Sequence, residues 1–414
     1  MNAETIAIGT ELLIGQISNT NARYLSEKLN ELGINVYYHT VVGDNMKRIL
    51  EVLNIAKKRS KYIFLTGGLG PTQDDVTRDA VAQVADVPLK EDSKAKEKIE
   101  AFFKSKNIPM PISNLNQALV PDGSTILAND YGTAPGFLLP FEESLIICLP
   151  GPPREMQNMF QNQVLPKISK EDFRPITSKY IKLFGIGESL VEEKILDLIS
   201  AQTSPSIATY ANEGNLTIRL TAQKNKENKT DCFEPVLSQI IERLKDNIYS
   251  IDNEYLHEVV GKLLIKTNTT ISTAESCTGG LISKHLTEVA GISSVFHTGL
   301  VTYSNDAKIR LLGVREKTLT TYGAVSSQTA LEMSKGARDK SGTDIGIAVT
   351  GIAGPGGGTF EKPVGLVYLG YCDNEKHFSK ELRLSGSREK IRNLTVLNAF
   401  KTILESRPPQ DETK

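Results

Sequence analysis

The 414-residue chain lacks the features that mark several classes of protein. Its 48 lysines and arginines stand against 49 aspartates and glutamates, which leaves a net charge of −1. Nucleic acid is therefore not expected as a partner, because nucleic-acid-binding domains carry a basic excess. No apolar run approaches the ~18 residues of a membrane span, and no basic segment leads into an apolar one at the start of the sequence. We expect a cytoplasmic protein without a membrane partner.

Cysteine and histidine are scarce and scattered. The four cysteines, Cys148, Cys232, Cys277 and Cys372, form no C-x-x-C pair, so neither a disulfide framework nor a thiolate zinc site is predicted. The five histidines show no H-x-x-x-H or comparable spacing. Any bound metal is expected to be a hard cation on carboxylate, water and phosphate oxygens.

The length predicts two to four domains, and the pattern of the chain divides it into three. Residues 1–168 alternate strand-like segments, such as Tyr62–Thr66, with helix-like ones, which is typical of a doubly wound α/β domain. Residues 176–252 follow the order β-α-β-β-α-β, with the first helix at 188–200, which predicts a small α+β domain similar to a KH module. That segment has Gly185-Ile-Gly187 but no G-x-x-G clamp, so a structural linker is favoured over RNA binding. Residues 253–408 predict a second α/β domain, whose first helix is capped by Asp252. Its predicted helices are 253–267, 277–289, 306–312, 326–340 and 387–405.

A serine stands at a strand-to-helix corner in residues 273–280, which read T-A-E-S-C-T-G-G. Such a corner exposes the hydroxyl of Ser276, and the two glycines allow backbone N–H groups of Gly279 and Gly280 to approach a developing oxyanion. A serine nucleophile needs a base. Lys308, in the segment V-T-Y-S-N-D-A-K, can serve if it is largely neutral, and Tyr303 can orient it or relay a proton.

Other interpretations of this corner remain open. A serine at a helix start is often only a cap. Cys277 is the better intrinsic nucleophile and His297 is a possible base for it. Glu275 is either catalytic or fixes the loop by accepting N–H bonds.

A glycine-rich loop follows at residues 350–359, T-G-I-A-G-P-G-G-G-T. It lacks the G-K-[ST] ending of a Walker loop, and a tight surface turn is the simplest meaning of Pro-Gly. Five glycines after a predicted strand nevertheless favour backbone contact with a phosphate or a ring amide. Arg388 lies at a predicted helix start and is of a residue type that binds phosphate. An isolated arginine is, however, often only solvated.

Together these segments and K-P-V-G-L-V-Y resemble the C-terminal domain of the CinA family, the PncC-type amidase. The resemblance implies hydrolysis of the carboxamide of nicotinamide mononucleotide (NMN) to nicotinate mononucleotide and ammonia, without a cofactor. It implies that Ser276 is the nucleophile, that Lys308 is its base and that Tyr303 lies in the site. The substrate-binding residues it implies are Glu275, Thr278, Gly279, Gly280, Thr350, Gly351, Ala353, Gly354 and Arg388.

A second group of loops lies in the N-terminal domain: G-T-E-L-L-I-G-Q, T-G-G-L-G-P-T-Q-D-D and L-P-G-P-P-R-E-M. Each follows a predicted strand, where ligands of open α/β sheets bind. The carboxylates of Glu11, Asp44, Asp74 and Asp75 can hold Mg²⁺ or a similar ion against a pyrophosphate. Equally, acidic residues at helix starts interact favourably with the helix dipole without any metal.

These loops, with N-x-x-G-T-A-P-G at residue 129, resemble the CinA N-terminal domain, which is related to the MoaB and MogA molybdopterin-binding fold. The resemblance implies an ADP-ribose pyrophosphatase that uses Mg²⁺, Mn²⁺ or Co²⁺, and a homodimer. Alternatives are a non-catalytic nucleotide-binding module and a competence-related accessory protein. The resemblance assigns nucleotide binding to Glu11, Gly67, Gly68, Asn129 and Gly151, and metal binding to Asp44, Asp74 and Asp75.

Overall fold

The computed structural model describes residues 2–168, 176–212, 214–223 and 232–407. The predicted domain limits at residues 1 and 408 lie outside these ranges. The chain divides into two compact units with the main boundary near residue 178, and residues 222–223 at the end of the third strand of the middle segment are grouped with the first unit. The first contains a six-stranded sheet, and the second contains a four-stranded and a five-stranded sheet.

The first unit alternates strands and helices as predicted. Its strands are β1 (Asn2–Ile8), β2 (Asn35–Val42), β3 (Tyr62–Thr66), β4 (Leu89–Glu91), β5 (Leu119–Pro121), β6 (Thr125–Leu127), β7 (Gly136–Phe141) and β8 (Ser144–Leu149). Its helices are α1 (Thr10–Leu13), α2 (Thr20–Glu31), α3 (Met46–Ala56), α4 (Thr77–Ala85), α5 (Ser93–Lys106), α6 (Pro153–Met159) and α7 (Leu165–Ile168), with a 3₁₀ segment at Ile112–Ala118 and a π segment at Phe160–Val164.

The main sheet of this unit has the order β2-β1-β3-β8-β7-β6. The first four strands are parallel, and β7 and β6 extend the sheet antiparallel. Successive residues of β3 point to opposite faces: Ile63 and Leu65 join the core under α3 and α4, whereas Tyr62 and Phe64 join the core under α2 and α6. Helices cover both faces, so the doubly wound α/β prediction is confirmed.

The middle segment has the predicted β-α-β-β-α-β order. Its sheet runs β10-β11-β9-β12, and the alternating burial of β11 shows that only one face packs on a core. The predicted helix at 188–200 is two consecutive short helices. The elements are β9 (Ile176–Phe184), α8 (Glu188–Lys194), α9 (Leu196–Ser200), β10 (Ser206–Asn212), β11 (Asn215–Gln223), α10 (Glu234–Leu244) and β12 (Ile248–Ser250).

The C-terminal segment is built on a sheet of order β14-β13-β15-β16-β17. Strands β14, β13 and β15 are parallel, β16 is antiparallel to β15, and β17 is antiparallel to β16. Apolar cores lie on both faces. The elements are α11 (Leu256–Lys266), β13 (Ile271–Glu275), α12 (Leu281–Thr287), a 3₁₀ turn (Ile292–Ser294), β14 (Phe296–Val301), α13 (Asn305–Leu312), α14 (Glu316–Tyr322), α15 (Ser327–Ser341), β15 (Ile345–Gly351), β16 (Leu366–Cys372), β17 (His377–Arg383) and α16 (Arg388–Ser406).

Two details of the C-terminal prediction were wrong. Asp252 does not cap α11: the helix begins at Leu256, and Glu258 accepts a hydrogen bond from the Tyr255 N–H at 2.6 Å. Helix α12 begins at Leu281 rather than at Cys277, because Gly279 and Gly280 have positive φ angles of 63° and 99°, a conformation that ends regular helix geometry. In the described ranges we find no helix with the length and apolarity of a membrane span.

Candidate active sites

The parallel strands of the C-terminal sheet bring three loops to one edge. Strand β13 ends at Glu275, β14 at Val301 and β15 at Gly351. Parallel strands present their carboxyl ends at the same edge, where α/β proteins bind ligands. The serine corner, the segment of Tyr303 and the glycine-rich loop therefore meet there, and α13 returns Lys308 to the serine.

Ser276 and Lys308 form a hydrogen-bonded pair. Lys308 Nζ donates to Ser276 Oγ at 3.2 Å and to the carbonyl oxygen of Thr302 at 2.8 Å. The lysine is 1% exposed and the serine 9%. Burial lowers the pKa of Lys308, because it removes water from the charged form, while the nearby Cys277 raises it by a smaller amount. The geometry brings together the two residues predicted as nucleophile and base.

The alternative pair of Cys277 and His297 is not assembled. The Cys277 side chain packs with Ala353, Val367 and Ile391 in an apolar cluster, and burial raises its pKa to about 11. His297 lies beside Ile271, at the start of the β13–β14 pair. The serine corner follows the other end, roughly 12 Å away at ~3.3 Å per residue.

Glu275 holds the serine corner from beneath. It has no exposed surface, and its carboxylate accepts five hydrogen bonds, from the Thr278 hydroxyl, the Gly280 and Ile282 N–H groups, and both the N–H and the hydroxyl of Ser283. The Thr278 and Glu275 side chains are thus hydrogen-bonded within the loop, and their assignment as substrate-binding residues stays a prediction. Of the two roles left open for Glu275, the geometry supports the one in which its carboxylate fixes the loop.

The oxyanion donors also differ from the prediction. The Gly279 N–H donates to Ser276 O at 3.1 Å, and the Gly280 N–H donates to Glu275 at 2.9 Å. Neither is free for an oxyanion. Within the described ranges, the N–H groups of Cys277 and Thr278 have no oxygen acceptor, which makes them the available donors next to Ser276.

The glycine-rich loop is tied to Tyr303 through Arg388. Arg388 Nη1 donates to Gly354 O at 2.7 Å, and Nη2 donates to the Tyr303 hydroxyl at 3.3 Å. Tyr303 itself is 64% exposed. The side chains of Thr350 and Ala353 are buried, and the Thr350 hydroxyl donates to Ala324 O, so they support the loop from within.

Gly351 is needed for close packing of this loop. A Cβ there would stand 2.6 Å from Val367 Cγ2, closer than carbon atoms pack. The sequence prediction placed Gly351 among substrate contacts, and its surroundings give it a packing role as well.

Two supporting residues of this site were not predicted. The Thr302 carbonyl accepts from Lys308, and Arg392 Nη2 donates to Thr278 O at 2.7 Å. Thr302 lies in the same V-T-Y-S-N-D-A-K segment as Lys308, so the sequence could have indicated that the two residues are neighbours. Nothing in the sequence marks Arg392, which is one of several charged residues on α16.

The N-terminal loops enclose a cavity of about 600 Å³. It lies where β1, β2, β3 and β8 end, as expected for an open parallel sheet. Gly67 has φ of 100°, and a Cβ would collide with Ile8 O, so only glycine allows this approach of two strand ends. The predicted residues that line the cavity are Glu11, Asp44, Gly67, Gly68, Asp74, Asp75 and Gly151.

The three predicted metal ligands are not preassembled. In the described ranges, Asp44, Asp74 and Asp75 do not bring three carboxylate oxygens within 4.8 Å of one another. Asp44 accepts from the Thr10 N–H and hydroxyl, and Asp75 accepts from the Thr72 N–H and hydroxyl. A divalent ion at this site would therefore bind as Mg²⁺ usually does, through one or two carboxylates together with the phosphates of a substrate.

Asn129 braces the wall of this cavity through its side-chain hydrogen bonds. Its amide donates to Glu155 at 2.7 Å and to Ala134 O, and its oxygen accepts from the Tyr131 and Gly132 N–H groups. Its assignment as a nucleotide contact stays a prediction. Glu155 lines the cavity and was missed, although it lies within the quoted L-P-G-P-P-R-E-M segment.

Arg78 was also missed. It is buried and donates to Leu69 O at 2.8 Å and Gly70 O at 3.0 Å, so it fixes the loop that carries Asp74 and Asp75. Burial lowers its pKa.

Comparison with known proteins follows the same division of the chain. Residues 4–170 match the model of a probable molybdopterin binding domain, residues 178–250 the damage-inducible protein CinA KH domain, and residues 253–406 the CinA C-terminal domain. The crystal structure of the competence/damage inducible protein CihA from Agrobacterium tumefaciens is 47% identical, with 37% of this chain and 96% of that chain covered and a TM-score of 0.36.

Two relatives match over nearly the whole length. A protein of Acetivibrio thermocellus whose name contains the words "competence-damage inducible protein" is 50% identical over 404 residues, covering 97% of this chain and 98% of its own. A CinA-like protein of Kosmotoga olearia is 49% identical over 401 residues, covering 97% of each. The chain therefore belongs to the CinA family, with a MoaB-like, a KH-like and a CinA C-terminal domain.

Proposed function

We propose that the C-terminal domain hydrolyses the carboxamide of NMN with Ser276 as nucleophile and Lys308 as general base. The observation that carries this proposal is the buried 3.2 Å contact between Lys308 Nζ and Ser276 Oγ. A neutral amine has one lone pair, so the same contact can run from the serine O–H to the lysine nitrogen. Burial favours that neutral form.

The acylation step needs only groups of this chain. Lys308 takes the proton of the Ser276 hydroxyl while Oγ bonds to the carboxamide carbon, and the Cys277 and Thr278 N–H groups donate to the resulting oxyanion. The carbon–nitrogen bond then breaks, and the leaving nitrogen takes the proton from Lys308 to depart as ammonia. The cationic ring of NMN assists by lowering the pKa of the nearby lysine further.

Deacylation reverses these roles. Lys308 removes a proton from water, the hydroxide bonds to the acyl carbon, and the ester bond to Ser276 Oγ breaks with return of the proton to the serine. The product is nicotinate mononucleotide. Arg388, which already bridges Gly354 and Tyr303, is the group we assign to the substrate phosphate, because a guanidinium offers five N–H donors.

The first test is turnover of NMN, followed by release of ammonia and nicotinate mononucleotide. We expect kcat to fall by about three orders of magnitude or more in Ser276→Ala and Lys308→Ala, and to stay within a few-fold of wild type in the matched variant Cys277→Ala. Loss of turnover in Cys277→Ala alone would move the nucleophile to the thiol. No ammonia from folded wild-type protein would overturn the deamidase.

We further propose that the N-terminal domain hydrolyses ADP-ribose to AMP and ribose 5-phosphate with a divalent metal ion. The supporting observation is the cavity at the strand ends, which brings seven of the predicted residues together. The carboxylates we assign to the metal are those of Glu11, Asp44, Asp74 and Asp75, which all line this cavity, and an ion would use one or two of them together with the substrate phosphates.

AMP release with Mg²⁺, Mn²⁺ or Co²⁺ tests this second activity. Glu11→Gln and Asp74→Asn are expected to lose it. Asp86→Asn is the matched control, because Asp86 is exposed outside the cavity and asparagine tolerates its left-handed backbone. Binding of ADP-ribose without any AMP release would instead support a nucleotide-binding module without turnover.

A further inference from the structure

Two histidines and a glutamate from different helices converge in the second unit. His257 lies at the start of α11, His285 lies near the end of α12, and Glu288 follows α12 directly. Glu288 Oε2 is 2.8 Å from His285 Nδ1 and 3.7 Å from His257 Nε2. One donor atom of each residue lies within 4.8 Å of the others, and in the described ranges this is the one such group of three histidine, cysteine or acidic residues.

The spacing matches a tetrahedral metal ion. Ligand atoms about 2.1 Å from Zn²⁺ stand about 3.4 Å apart at a tetrahedral angle. The two distances from Glu288 Oε2 bracket that value, so small rotations of the side chains suffice to admit an ion. Two imidazoles and one carboxylate are also a ligand set that zinc proteins use, with a fourth position left open.

The surroundings orient the ligands. The ring of His257 stacks on Tyr255 with centroids 5.8 Å apart and contacts Phe400 at 6.2 Å, which restricts its rotation. Lys284 holds the other carboxylate oxygen of Glu288 at 2.5 Å and so leaves Oε2 for the histidines. All three ligands line one cavity of about 400 Å³, whose wall also contains Asn215 of β11.

We propose that His257, His285 and Glu288 form a binding site for a divalent transition-metal ion, with Zn²⁺ as the leading candidate and the fourth coordination position facing the cavity. Imidazole ligands select Zn²⁺, Co²⁺, Ni²⁺ or Cu²⁺ over the hard cations expected from the sequence. The site is separate from the N-terminal carboxylates and from Ser276, and it does not rest on either proposed activity.

Metal binding here would cross-link α11 and α12. The start of α12 is the segment whose Ile282 and Ser283 N–H groups donate to Glu275 under the serine corner. The ion therefore stabilises the helix that carries this corner, and it takes no part in the amide chemistry.

The test uses the full chain, freed of metal by dialysis against a chelator, and titrated with Zn²⁺ by calorimetry and with Co²⁺ by visible absorption. We expect wild type to bind one equivalent that gives the bands of tetrahedral Co²⁺. His285→Gln and Glu288→Gln are expected to weaken that equivalent by about 100-fold, since even partners outside the coordination sphere contribute roughly 10–100-fold.

Two matched variants sharpen the test. His297→Gln removes an exposed histidine elsewhere in the same domain and should change nothing. Lys284→Met releases the second oxygen of Glu288 and should tighten binding. Equal affinity and stoichiometry in wild type and in both ligand variants, with circular dichroism showing all of them folded, would overturn the proposal, as would the absence of tetrahedral Co²⁺ bands in wild type.

Discussion

The side chain of Lys308 extends from α13 into a space with almost no access to water. Its nitrogen has two oxygen neighbours, Thr302 O and Ser276 Oγ, and neither carries a charge. A buried ammonium group without a carboxylate partner is costly, so its proton is lost more easily than in water. The burial of Lys308 in the fold of this domain is thus also what favours the neutral amine that the proposed reaction needs.

The pH dependence of turnover follows from this shift. The active form of Lys308 is the neutral amine, and burial places its pKa below the ordinary 10.5. We expect kcat/KM for NMN to rise with pH through the lysine pKa and to level off before pH 10.5, since kcat/KM reports groups of the free enzyme. A rate profile between pH 6 and 10 measures this limb. A flat profile, or one that falls over this range, would contradict a lysine base.

At this scale the sequence predicted which residues lie together better than it predicted the hydrogen bonds they make. Ser276 and Lys308 were paired through motifs, and the structure brings them within hydrogen-bonding distance. The role of Glu275 stayed open, because the same residue type serves as an acid, a ligand or a loop anchor. Only its burial and its hydrogen-bond partners separate these roles, and both depend on how residues 276–283 fold around it.

At the scale of elements, the serine corner depends on one buried carboxylate at the start of α12. Glu275 accepts N–H groups of Gly280, Ile282 and Ser283, which a helix start otherwise leaves unpaired. Its negative charge also interacts favourably with the helix dipole. The carboxylate thereby fixes the backbone that follows Ser276.

Glu275→Gln tests this anchor. An amide keeps the shape of the side chain, but its NH₂ group cannot accept hydrogen bonds and would face N–H donors. We expect the free energy of unfolding to fall by about 2–4 kcal/mol, because buried donors are left unpaired and a charged acceptor is lost. Urea denaturation measures this change. NMN turnover should fall as well, because the corner loses its support.

The matched control is Glu389→Gln. Glu389 also lies in the first turn of a helix, α16, but it is exposed. The Glu389→Gln substitution should lower the free energy of unfolding by at most about 0.3–1 kcal/mol. If Glu275→Gln were no more destabilising than this control, the anchoring role would be wrong.

Element boundaries explain where sequence patterns failed. Strand β3 was predicted at its observed limits because four apolar or aromatic residues, followed by the β-branched Thr66, lie between Lys61 and the glycine pair Gly67-Gly68. Helix α14 was missed: its sequence E-K-T-L-T-T-Y buries only Thr318 and Leu319, so it shows no helical apolar period. The predicted start of α12 was wrong because Gly279 and Gly280 can adopt several types of turn, and the sequence does not show that they take left-handed conformations here.

At the scale of the whole molecule, the least predictable feature is the group of His257, His285 and Glu288. The two histidines come from helices on either side of β13 in the sequence, so no local spacing connects them. They meet because α11 and α12 share one apolar core on the same face of the sheet, to which Leu256 and Leu286 contribute. Sequence periodicity predicts that each helix packs on the sheet. It does not predict which polar side chains of the two helices lie next to each other.

The division into two compact units, each with its own cores, leads to a prediction for ligand-linked stability. A ligand that binds only the folded form of one unit stabilises that unit, by about 2.7 kcal/mol at 100 times its Kd. With Ser276→Ala to prevent turnover, NMN should raise the unfolding temperature of the C-terminal unit alone. ADP-ribose without metal should raise the unfolding temperature of the N-terminal unit alone.

Calorimetry measures both transitions, and limited proteolysis at each temperature assigns them to the units. A shift of the same transition by both ligands would show that one site, or one cooperative unit, accounts for both nucleotides.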